Sequence, residues 1–409
     1  MSPLSVGLRQ KGGLVDRGVK TNRRWLAWWA FAASVTLAMA QWPAPSGHSV
    51  ESSPDLRQQV TVELTRYAGQ QGIQADESRA RVTITRHHGT WAFGTAVLVA
   101  PHQKGAYPHG WLFVARRDRD QWRIGFEGET EFASLARRAP VISAPERRVL
   151  AHAAPQAADA TDRRTGMRLP YAVGQSWRFT GGPHEMSGPP RSSIDLAGGD
   201  LKVLAARAGT AYTMCKGWIR VVHDRGYATD YYHLWNAIPA DGTPVAEGAF
   251  LGDAGTDVTC GGSATGRHVH FSLRRHGDYI PIAGHNLSTW VFYEGAKSYE
   301  GYALHGSTRV NVGGTLRNNG ALALDQGIVD TNGPGTLRRR AGPGTNYEII
   351  GQLPDGAVIR IACSANGTTH TGRYGASRLW HQLTDGGWVS GAYVWTGVDG
   401  PVTRWCSQG

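Results

Sequence analysis

The sequence predicts a mainly β protein with three folded parts: an α+β region near the N-terminus, an antiparallel β-sheet domain in the middle and a small β-barrel at the C-terminal end. Two observations support this fold class. The 409 residues include 54 glycines and 15 tryptophans, a composition that favours strands and ordered loops over helical bundles. Short apolar segments separated by glycine run from Leu169 to Val312, and the same pattern returns over residues 327–409.

The α+β region lies between residues 55 and 150. A short helix is predicted over Leu56–Tyr67, and the four predicted strands after it are Ala80–Thr85, Thr90–Val99, Trp111–Ala115 and Trp122–Phe126. The adjacent histidines His87 and His88 would point to opposite faces of a strand, so we interpret them as surface residues. The sequence therefore predicts no catalytic site in this region.

The first 40 residues have the pattern of a signal peptide. Six basic side chains, from Arg9 to Arg24, precede an apolar run over Trp25–Ala40 that ends in Ala-Met-Ala. The run is shorter than the roughly 20 residues that cross a bilayer, which favours cleavage; an uncleaved anchor is the alternative. No later stretch resembles a membrane span. We therefore expect a secreted protein with no stable membrane span after cleavage.

The net charge of +11 raises the question of nucleic-acid binding, and its distribution argues against it. Residues 1–40 carry +5, residues 41–165 carry +3 and residues 166–409 carry +3, so nearly half of the excess lies in the predicted signal peptide. The basic run Arg338–Arg340 lies on a predicted strand, whose side chains alternate between faces, and we interpret it as solvated. We predict no nucleic-acid partner.

The four cysteines agree with export. Cys215 and Cys260 lie in the middle part of the chain, and Cys363 and Cys406 lie in the C-terminal part. An even count divided two and two predicts one disulfide in each part, in an oxidising compartment. Because the sequence contains no CxxC pair, a zinc site made of the four cysteines is not expected.

Three segments of the middle part carry candidate metal chemistry: Gly181-Gly182-Pro183-His184 with Asp195 downstream, Tyr231-Tyr232-His233-Leu234, and Thr265-Gly266-Arg267-His268-Val269-His270-Phe271. His268 and His270 are two residues apart on a predicted strand, so both rings face the same side. A His/His/Asp set suits catalytic zinc, which takes three protein ligands and keeps one position for water. An HxH motif that stands alone on a strand is more often structural than metal-binding. The combination of HxH, an upstream His/Asp pair and a Tyr-Tyr-His segment is much harder to obtain by chance, so it favours a metal site. The remaining histidines of this part are interpreted as packing or surface residues: His223, His276, His285 and His305.

These segments resemble the lysostaphin-type zinc endopeptidases, and within them the β-lytic and staphylolytic proteases. The matching motifs lie between Leu169 and Val312: Gly182-Pro183-His184, Ser193-Ile194-Asp195, Ala228-Thr229-Asp230-Tyr231-Tyr232-His233, Cys260-Gly261-Gly262-Ser263 and His268-Val269-His270-Phe271-Ser272-Leu273. The resemblance implies that His184, Asp195 and His270 bind one zinc ion per chain. It also implies that His233 and His268 are catalytic, acting on the attacking water and on the oxyanion.

Further positions bear on this resemblance. Arg267 stands where these enzymes usually carry proline, which removes no ligand but places a cation beside the groove. Tyr302 is the candidate for the family's groove tyrosine. Cys215 and Cys260 fall where the β-lytic branch has a disulfide.

The C-terminal part resembles a bacterial Src-homology-3-type domain. The matching segments are Leu337-Arg338-Arg339-Arg340-Ala341-Gly342-Pro343-Gly344-Thr345-Asn346-Tyr347, Val358-Ile359-Arg360-Ile361 and Gly387-Trp388-Val389-Ser390-Gly391-Ala392-Tyr393-Val394. Domains of this type commonly bind cell-wall peptides, so the resemblance implies a wall-binding role.

Together these features predict a signal peptide over 1–40, a pro-segment over 41–166, a zinc metallopeptidase domain over 167–315 and a wall-binding domain over 326–409. The polar link over 151–166 is an exposed site for proteolysis, and we expect maturation within about residues 151–168. The expected function is secreted, zinc-dependent cleavage of peptide bonds in bacterial peptidoglycan by a monomer. A general secreted protease acting on Gly-rich proteins and an inactive wall-binding scaffold are the alternatives.

Overall fold

The computed structural model describes residues 54–152, 161–186 and 188–407, with side chains from residue 56 onwards. The predicted signal peptide and residues 153–160 of the predicted link lie outside the described residues. The chain is mainly β with antiparallel sheets, as the sequence predicts. Among the described residues, none of the helices is long and apolar enough to cross a membrane.

Residues 54–152, here called the N-terminal region, form one sheet of four strands with three helices. In chain order the elements are Pro54–Gln70 (α1), Ala80–His88 (β1), Trp91–Leu98 (β2), His109–Asp118 (β3), Gln121–Phe126 (β4), Thr130–Arg138 (α2) and Ala144–Leu150 (α3). The strands pair antiparallel in sequence order. The predicted helix and four strands are confirmed, each with slightly different ends.

Helix α1 forms because its apolar residues recur every three or four positions. Leu56, Val60, Leu64, Tyr67 and Ala68 all lie on its buried side and pack against the sheet. Helices α2 and α3 are absent from the sequence prediction. They contain nine and seven residues, too few for the helical period to stand out.

The middle region, residues 161–317, contains three sheets. Its strands are Ser176–His184 (β5), Ser193–Ala197 (β6), Lys202–Leu204 (β7), Gly209–Cys215 (β8), Trp218–Val222 (β9), Tyr227–Tyr232 (β10), Leu234–Trp235 (β11), Asp241–Val245 (β12), Phe250–Ala254 (β13), Val269–Arg275 (β14), Asp278–Tyr279 (β15), Asn286–Leu287 (β16), Trp290–Tyr293 (β17), Tyr302–His305 (β18), Thr308–Asn311 (β19) and Thr315–Arg317 (β20). The largest sheet has the order β12-β8-β9-β10-β14-β6-β5-β20, with β15 pairing with β14. The smaller sheets are β11-β13-β7 and β16-β17-β18-β19.

The two faces of this large sheet are buried against different partners. One face, which includes Ile219, Tyr231 and Phe271, packs into the core of the middle region itself. The opposite face packs against the N-terminal region, and the two share one apolar cluster. Tyr212 and Trp218 lie on this second face, because side chains alternate along a strand.

The C-terminal region forms a seven-stranded antiparallel sheet that curves into a half-barrel. Its strands are Gln326–Val329 (β21), Thr336–Arg340 (β22), Ile349–Pro354 (β23), Val358–Gly372 (β24), Gly375–Leu383 (β25), Trp388–Ser390 (β26) and Val394–Trp395 (β27), in the order β23-β22-β26-β25-β24-β21-β27. A disulfide joins Cys363 to Cys406, and another joins Cys215 to Cys260 in the middle region. Each bridge stays within one region, as the sequence predicts.

Candidate metal centre

The three predicted metal ligands meet on neighbouring strands of the large sheet. His184 ends β5, Asp195 lies on β6 and His270 lies on β14, where it is paired directly with Asp195. Each residue offers one ligand atom, and the three atoms lie within 4.8 Å of one another. The sheet register therefore brings together residues that are up to 86 positions apart in the sequence.

The hydrogen bonds of His184 leave a lone pair aimed at Asp195. Its Nδ1 donates to the backbone carbonyl of Glu185 at 3.0 Å, so Nε2 carries no proton in the neutral ring. That Nε2 lies 3.2 Å from Asp195 Oδ1, and it forms no hydrogen bond within the described residues. A lone pair facing a carboxylate at this distance is stabilised by a cation that both atoms bind. The donor set of two imidazoles and one carboxylate fits a zinc ion.

Ionisation of the cluster also suits a metal ion. Burial alone would raise the pKa of Asp195, but its interactions with His184 and His270 outweigh burial and hold that pKa well below its usual value. Burial lowers the pKa of His270 to about 4, although the hydrogen bond with Asp195 opposes the change. At neutral pH the cluster therefore presents a carboxylate and a neutral imidazole, the forms that bind metal.

His233 and His268 flank the three ligands. The ring centre of His233 lies 4.8 Å from that of His268 and 6.0 Å from that of His270. His233 Nδ1 donates to the Asp257 carbonyl at 2.8 Å, and His268 Nδ1 donates to the Gly266 carbonyl at 2.7 Å. These bonds leave Nε2 of each neutral ring as an acceptor.

The environment of His233 is unusual in two ways. Its backbone has φ of 69°, a left-handed conformation that a residue with a side chain adopts mostly where the surrounding structure enforces it. Burial, with the neighbouring His268 and His270, lowers its pKa to about 3. The ring is therefore neutral at physiological pH and able to accept a proton.

Two tyrosines beside the cluster are absent from the sequence prediction. Tyr299 stacks on His184 with ring centres 4.0 Å apart. Tyr107, from the N-terminal region, has its hydroxyl 3.3 Å from His184 Nδ1 and hydrogen-bonded to the Tyr299 hydroxyl. The sequence candidate Tyr302 instead stacks on Tyr293, and among the described contacts it does not reach the cluster. Tyr299 lies in a loop, where the sequence pattern gives no direction for a side chain.

Arg267 points away from the ligands. Its guanidinium carbon lies 4.6 Å from the centre of the Trp235 ring, and its Nε donates to the Ala254 carbonyl at 3.3 Å. The arginine that replaces proline at this position therefore packs against Trp235 and leaves the ligand set intact.

The face of the sheet that carries the ligands continues onto the neighbouring strands, where it would form the floor of a groove if it were uncovered. The register aligns Arg220 with Asp230 and Ser272, and Tyr232 with His270, so these side chains share the face that carries Asp195. We call Tyr212, Trp218, Arg220, Asp230 and Tyr232 the groove floor.

The N-terminal region covers this floor. Glu127 forms an ion pair with Arg220, and Glu146 accepts a hydrogen bond from the Tyr212 hydroxyl at 3.0 Å. The loop before β3 also bonds to the loop of Cys260, because Ala100 donates to the Cys260 carbonyl at 2.9 Å. In this structure the N-terminal region covers the floor, and its Tyr107 stands against the candidate metal cluster.

Comparisons with known proteins identify relatives of this chain. The sequence pattern of "Peptidase family M23" matches residues 190–281, a range that contains Asp195, His233, His268 and His270. Protease LasA of Pseudomonas aeruginosa is 32% identical over 146 residues, which are 33% of this chain and 35% of LasA. The chain thus spans about a third of the length of that relative.

A second relative is covered almost completely. The beta-lytic metalloendopeptidase of Lysobacter enzymogenes is 30% identical over 148 residues, which are 33% of this chain and 83% of that protein. Among solved structures, the M23 metalloprotease pseudoalterin from the deep sea is 29% identical, with 37% of this chain and 98% of that chain covered and a TM-score of 0.35. This chain belongs to peptidase family M23, a metallopeptidase family.

Proposed function

We propose that this protein is a secreted zinc metalloendopeptidase that hydrolyses peptide bonds in bacterial peptidoglycan. The observation that carries the proposal is the cluster of His184, Asp195 and His270, in which the unpartnered Nε2 of His184 faces a carboxylate. His233 and His268 stand beside it with Nδ1 bonded to backbone carbonyls, and His268 Nε2 lies 3.7 Å from Asp195 Oδ1. Three ligands and two nearby proton acceptors are what hydrolysis by an activated water requires.

The roles of the chain's own residues follow from their hydrogen bonds. His184, Asp195 and His270 would hold the metal, which when bound polarises the scissile carbonyl and acidifies a bound water. His233 Nε2 is placed to accept a proton, because its Nδ1–H is held by the Asp257 carbonyl. His268 Nε2 is held in the same way through Gly266. Once protonated, either ring donates a hydrogen bond to the oxyanion of the tetrahedral intermediate.

A Gly-containing peptide is the proposed substrate, from a cross-bridge or a stem peptide. Support comes from the segment that occupies the groove in this structure. Gly110 lies on the ring of Trp218, and a Cβ atom added at Gly110 would lie 2.7 Å from that ring. A chain that passes over Trp218 at this depth therefore carries glycine at the contact.

The N-terminal region is proposed to be a pro-segment that keeps the enzyme latent. Tyr107 stands against His184, and Glu127 and Gly110 lie on the groove floor. A substrate therefore cannot enter while these residues remain in place. Thr165, Met167 and Arg168, at the end of the predicted maturation window, are buried in the middle region. Cleavage within the part of residues 151–168 that precedes Thr165, followed by departure of the N-terminal region, would open the groove. The C-terminal half-barrel is proposed to bind the cell wall and to raise the local concentration of the enzyme on its polymer.

The test is digestion of purified peptidoglycan by the cleaved protein, with and without a chelator. Mass spectrometry then identifies the new chain ends. New amino groups on cross-bridge or stem peptides, lost in the presence of chelator, are the expected result. New reducing sugar ends without new amino groups would refute a peptidase. Equal cleavage of unrelated Gly-rich proteins would favour the general protease instead.

A further inference from the structure

Arg220 in the groove floor divides its hydrogen bonds between two parts of the chain. Its side chain is fully buried, and Nε and Nη2 donate to the two carboxylate oxygens of Asp230 at 2.8 and 2.9 Å. Its Nη1 donates to the Glu127 carboxylate and, at 3.0 Å, to the Gly110 carbonyl. The acceptors of Nη1 thus both belong to the N-terminal region, whereas Asp230 belongs to the sheet.

The segment Tyr107–Gly110 connects this position to the metal ligands. Its first residue places a hydroxyl 3.3 Å from His184 Nδ1, and its last residue binds Arg220. Arg220 is two strands from His270 and two residues along, which places their Cα atoms about 12 Å apart. An extended chain covers that distance in three to four residues, at about 3.3 Å each. The segment therefore bridges the candidate metal ligands and Arg220, a separation that three to four residues of an extended peptide cover.

Departure of the N-terminal region would leave donors of the floor without acceptors. Arg220 Nη1 would lose both of its protein acceptors and would face the opened groove, where water or the carboxylate of a ligand can take their place. Trp218 Nε1 and Arg274 Nε, on the same face, already form no hydrogen bond in the part of the chain that the structure describes. Arg274 Nη2 lies 3.8 Å from Glu127 as well, so two guanidinium groups lose this carboxylate together. Asp230, the carboxylate of the floor, is already bonded to Arg220 and to the Tyr279 hydroxyl, whereas Asp278 remains near Arg274.

We propose that Arg220 forms a carboxylate-binding subsite of the groove, and that Glu127 occupies it in the closed protein as a substitute for a substrate carboxylate. The ligand is a peptide that carries a side-chain or terminal carboxylate three to four residues from the bond at the metal centre. That the ligand is a substrate rests on the proposed function. Arg220 would select substrates by charge, through a charge-assisted hydrogen bond from Nη1.

The first experiment uses the full chain with Glu127→Ala. This substitution removes a group the size of acetate beside Arg220, and acetate is therefore the probe. We expect acetate to raise the Tm of the variant by about 2–4 °C in a saturable way, because a ligand of the folded state stabilises it. Acetamide and sodium chloride at the same concentrations should not. The control variant is Glu63→Ala, which removes the exposed partner of Arg66 on helix α1.

The second experiment needs no substitution, so it decides the question even if Glu127→Ala fails to fold. The wild-type chain is cut between residues 153 and 160 with both fragments kept together. Blocked glycine pentapeptides are then added in two series. The peptides of one series end in a carboxylate or an amide, and those of the other carry Glu or Gln at each position in turn. The acid forms should displace the N-terminal fragment at concentrations roughly tenfold to a hundredfold lower than the neutral forms, the range for a hydrogen bond to a charged group.

The outcomes separate this proposal from the proposed function. Selective effects of acetate and of acid peptides support the subsite, and they do so even if the protein cleaves no peptide bond, a result that would refute only the proposed function. Acetate that acts no better than acetamide on a folded Glu127→Ala variant overturns the subsite. Displacement by acid and neutral peptides at equal concentrations, or by neither, overturns it as well.

Discussion

Strands β9 and β10 carry one buried histidine at each end of the pair, and the two histidines differ in their hydrogen bonds. His223 follows β9 at one end, and His233 follows β10 at the other. Burial lowers the pKa of His223 to about 4 and that of His233 to about 3, so both rings are neutral at pH 7. The pKa values alone do not distinguish the two.

The hydrogen bonds do distinguish them. His223 uses both ring nitrogens, with the Ala208 carbonyl at 2.9 Å and the Thr229 hydroxyl at 2.8 Å. His233 uses Nδ1 on the Asp257 carbonyl, and its Nε2 stays available beside the three candidate metal ligands. A buried histidine with both nitrogens bonded stabilises the fold, whereas one with an available nitrogen in a cluster is a candidate for chemistry.

The largest expected effect is on the metal cluster itself. Asp195→Ala removes the only carboxylate among the three ligands, so the variant should lose its zinc and its peptidase activity should fall to background. The matched control is Asp224→Ala at the His223 end, where Asp224 pairs with Arg207 at 2.8 Å. Zinc content by mass spectrometry and activity on a glycine peptide are measured for both. An Asp195→Ala variant that keeps one zinc per chain would contradict the ligand set.

A smaller effect is expected at the two flanking histidines. His233→Ala and His268→Ala should each lower turnover by roughly 10²–10⁴-fold and keep most of the zinc, because they act on protons and the oxyanion. His223→Gln, at the other end of the strands, should keep near-normal turnover. Loss of zinc in His268→Ala would instead make that residue a ligand.

The contacts of the N-terminal region predict latency. The uncut chain should cleave a glycine peptide at least about tenfold more slowly than the chain cut within residues 151–168, since Tyr107 and Glu127 occupy the groove. Tyr107→Ala in the uncut chain should recover only part of the cleavage rate of the cut chain, because Glu127 and Gly110 still cover the floor. Rates before and after limited proteolysis provide the measurement. An uncut chain as active as the cut chain would exclude inhibition by this region.

The smallest effect concerns stability at the His223 end. The pKa of His223 lies near 4 in the folded protein and near 6.5 in an unfolded chain, so the unfolded state binds more protons between these values. The contribution of the neutral ring is complete above about pH 6.5 and is lost as the pH falls towards 4, by up to roughly 3 kcal/mol.

His223→Gln should remove this part of the pH dependence. Denaturant unfolding from pH 7.5 to pH 4 is compared for the wild type, this variant and His88→Gln, which changes an exposed histidine. Equal slopes in the wild type and His223→Gln would show that the ring is not kept neutral by burial.

The strands that carry the candidate ligands were predictable because the sequence pattern that marks them is local. His268-Val269-His270 places two rings on one face by alternation alone, and the upstream His184 and Asp195 completed a recognisable set. The helix over Leu56–Tyr67 and the four strands after it were also recognisable from their periodicity. The roles assigned to the five site residues stay predictions.

The contacts between regions were not predictable in this way. The pairing of Glu127 with Arg220 joins residues 93 positions apart, and neither side chain has a distinctive sequence context. Tyr107 and Tyr299 contact His184 from two different loops. The conformation of each loop depends on tertiary packing, which the local sequence pattern does not reveal. The burial of the Glu127 and Arg220 charges can be recognised only when the N-terminal region and the large sheet are packed together.

The central claim is that His184, Asp195 and His270 bind one zinc ion. The most direct test is anomalous diffraction from crystals of the full chain, recorded on both sides of the zinc absorption edge. We predict one anomalous peak per chain, within bonding distance of a nitrogen from each of the two histidines and an oxygen of Asp195. A zinc-supplemented protein that shows no peak at this cluster, or a peak held by other residues, would contradict the account.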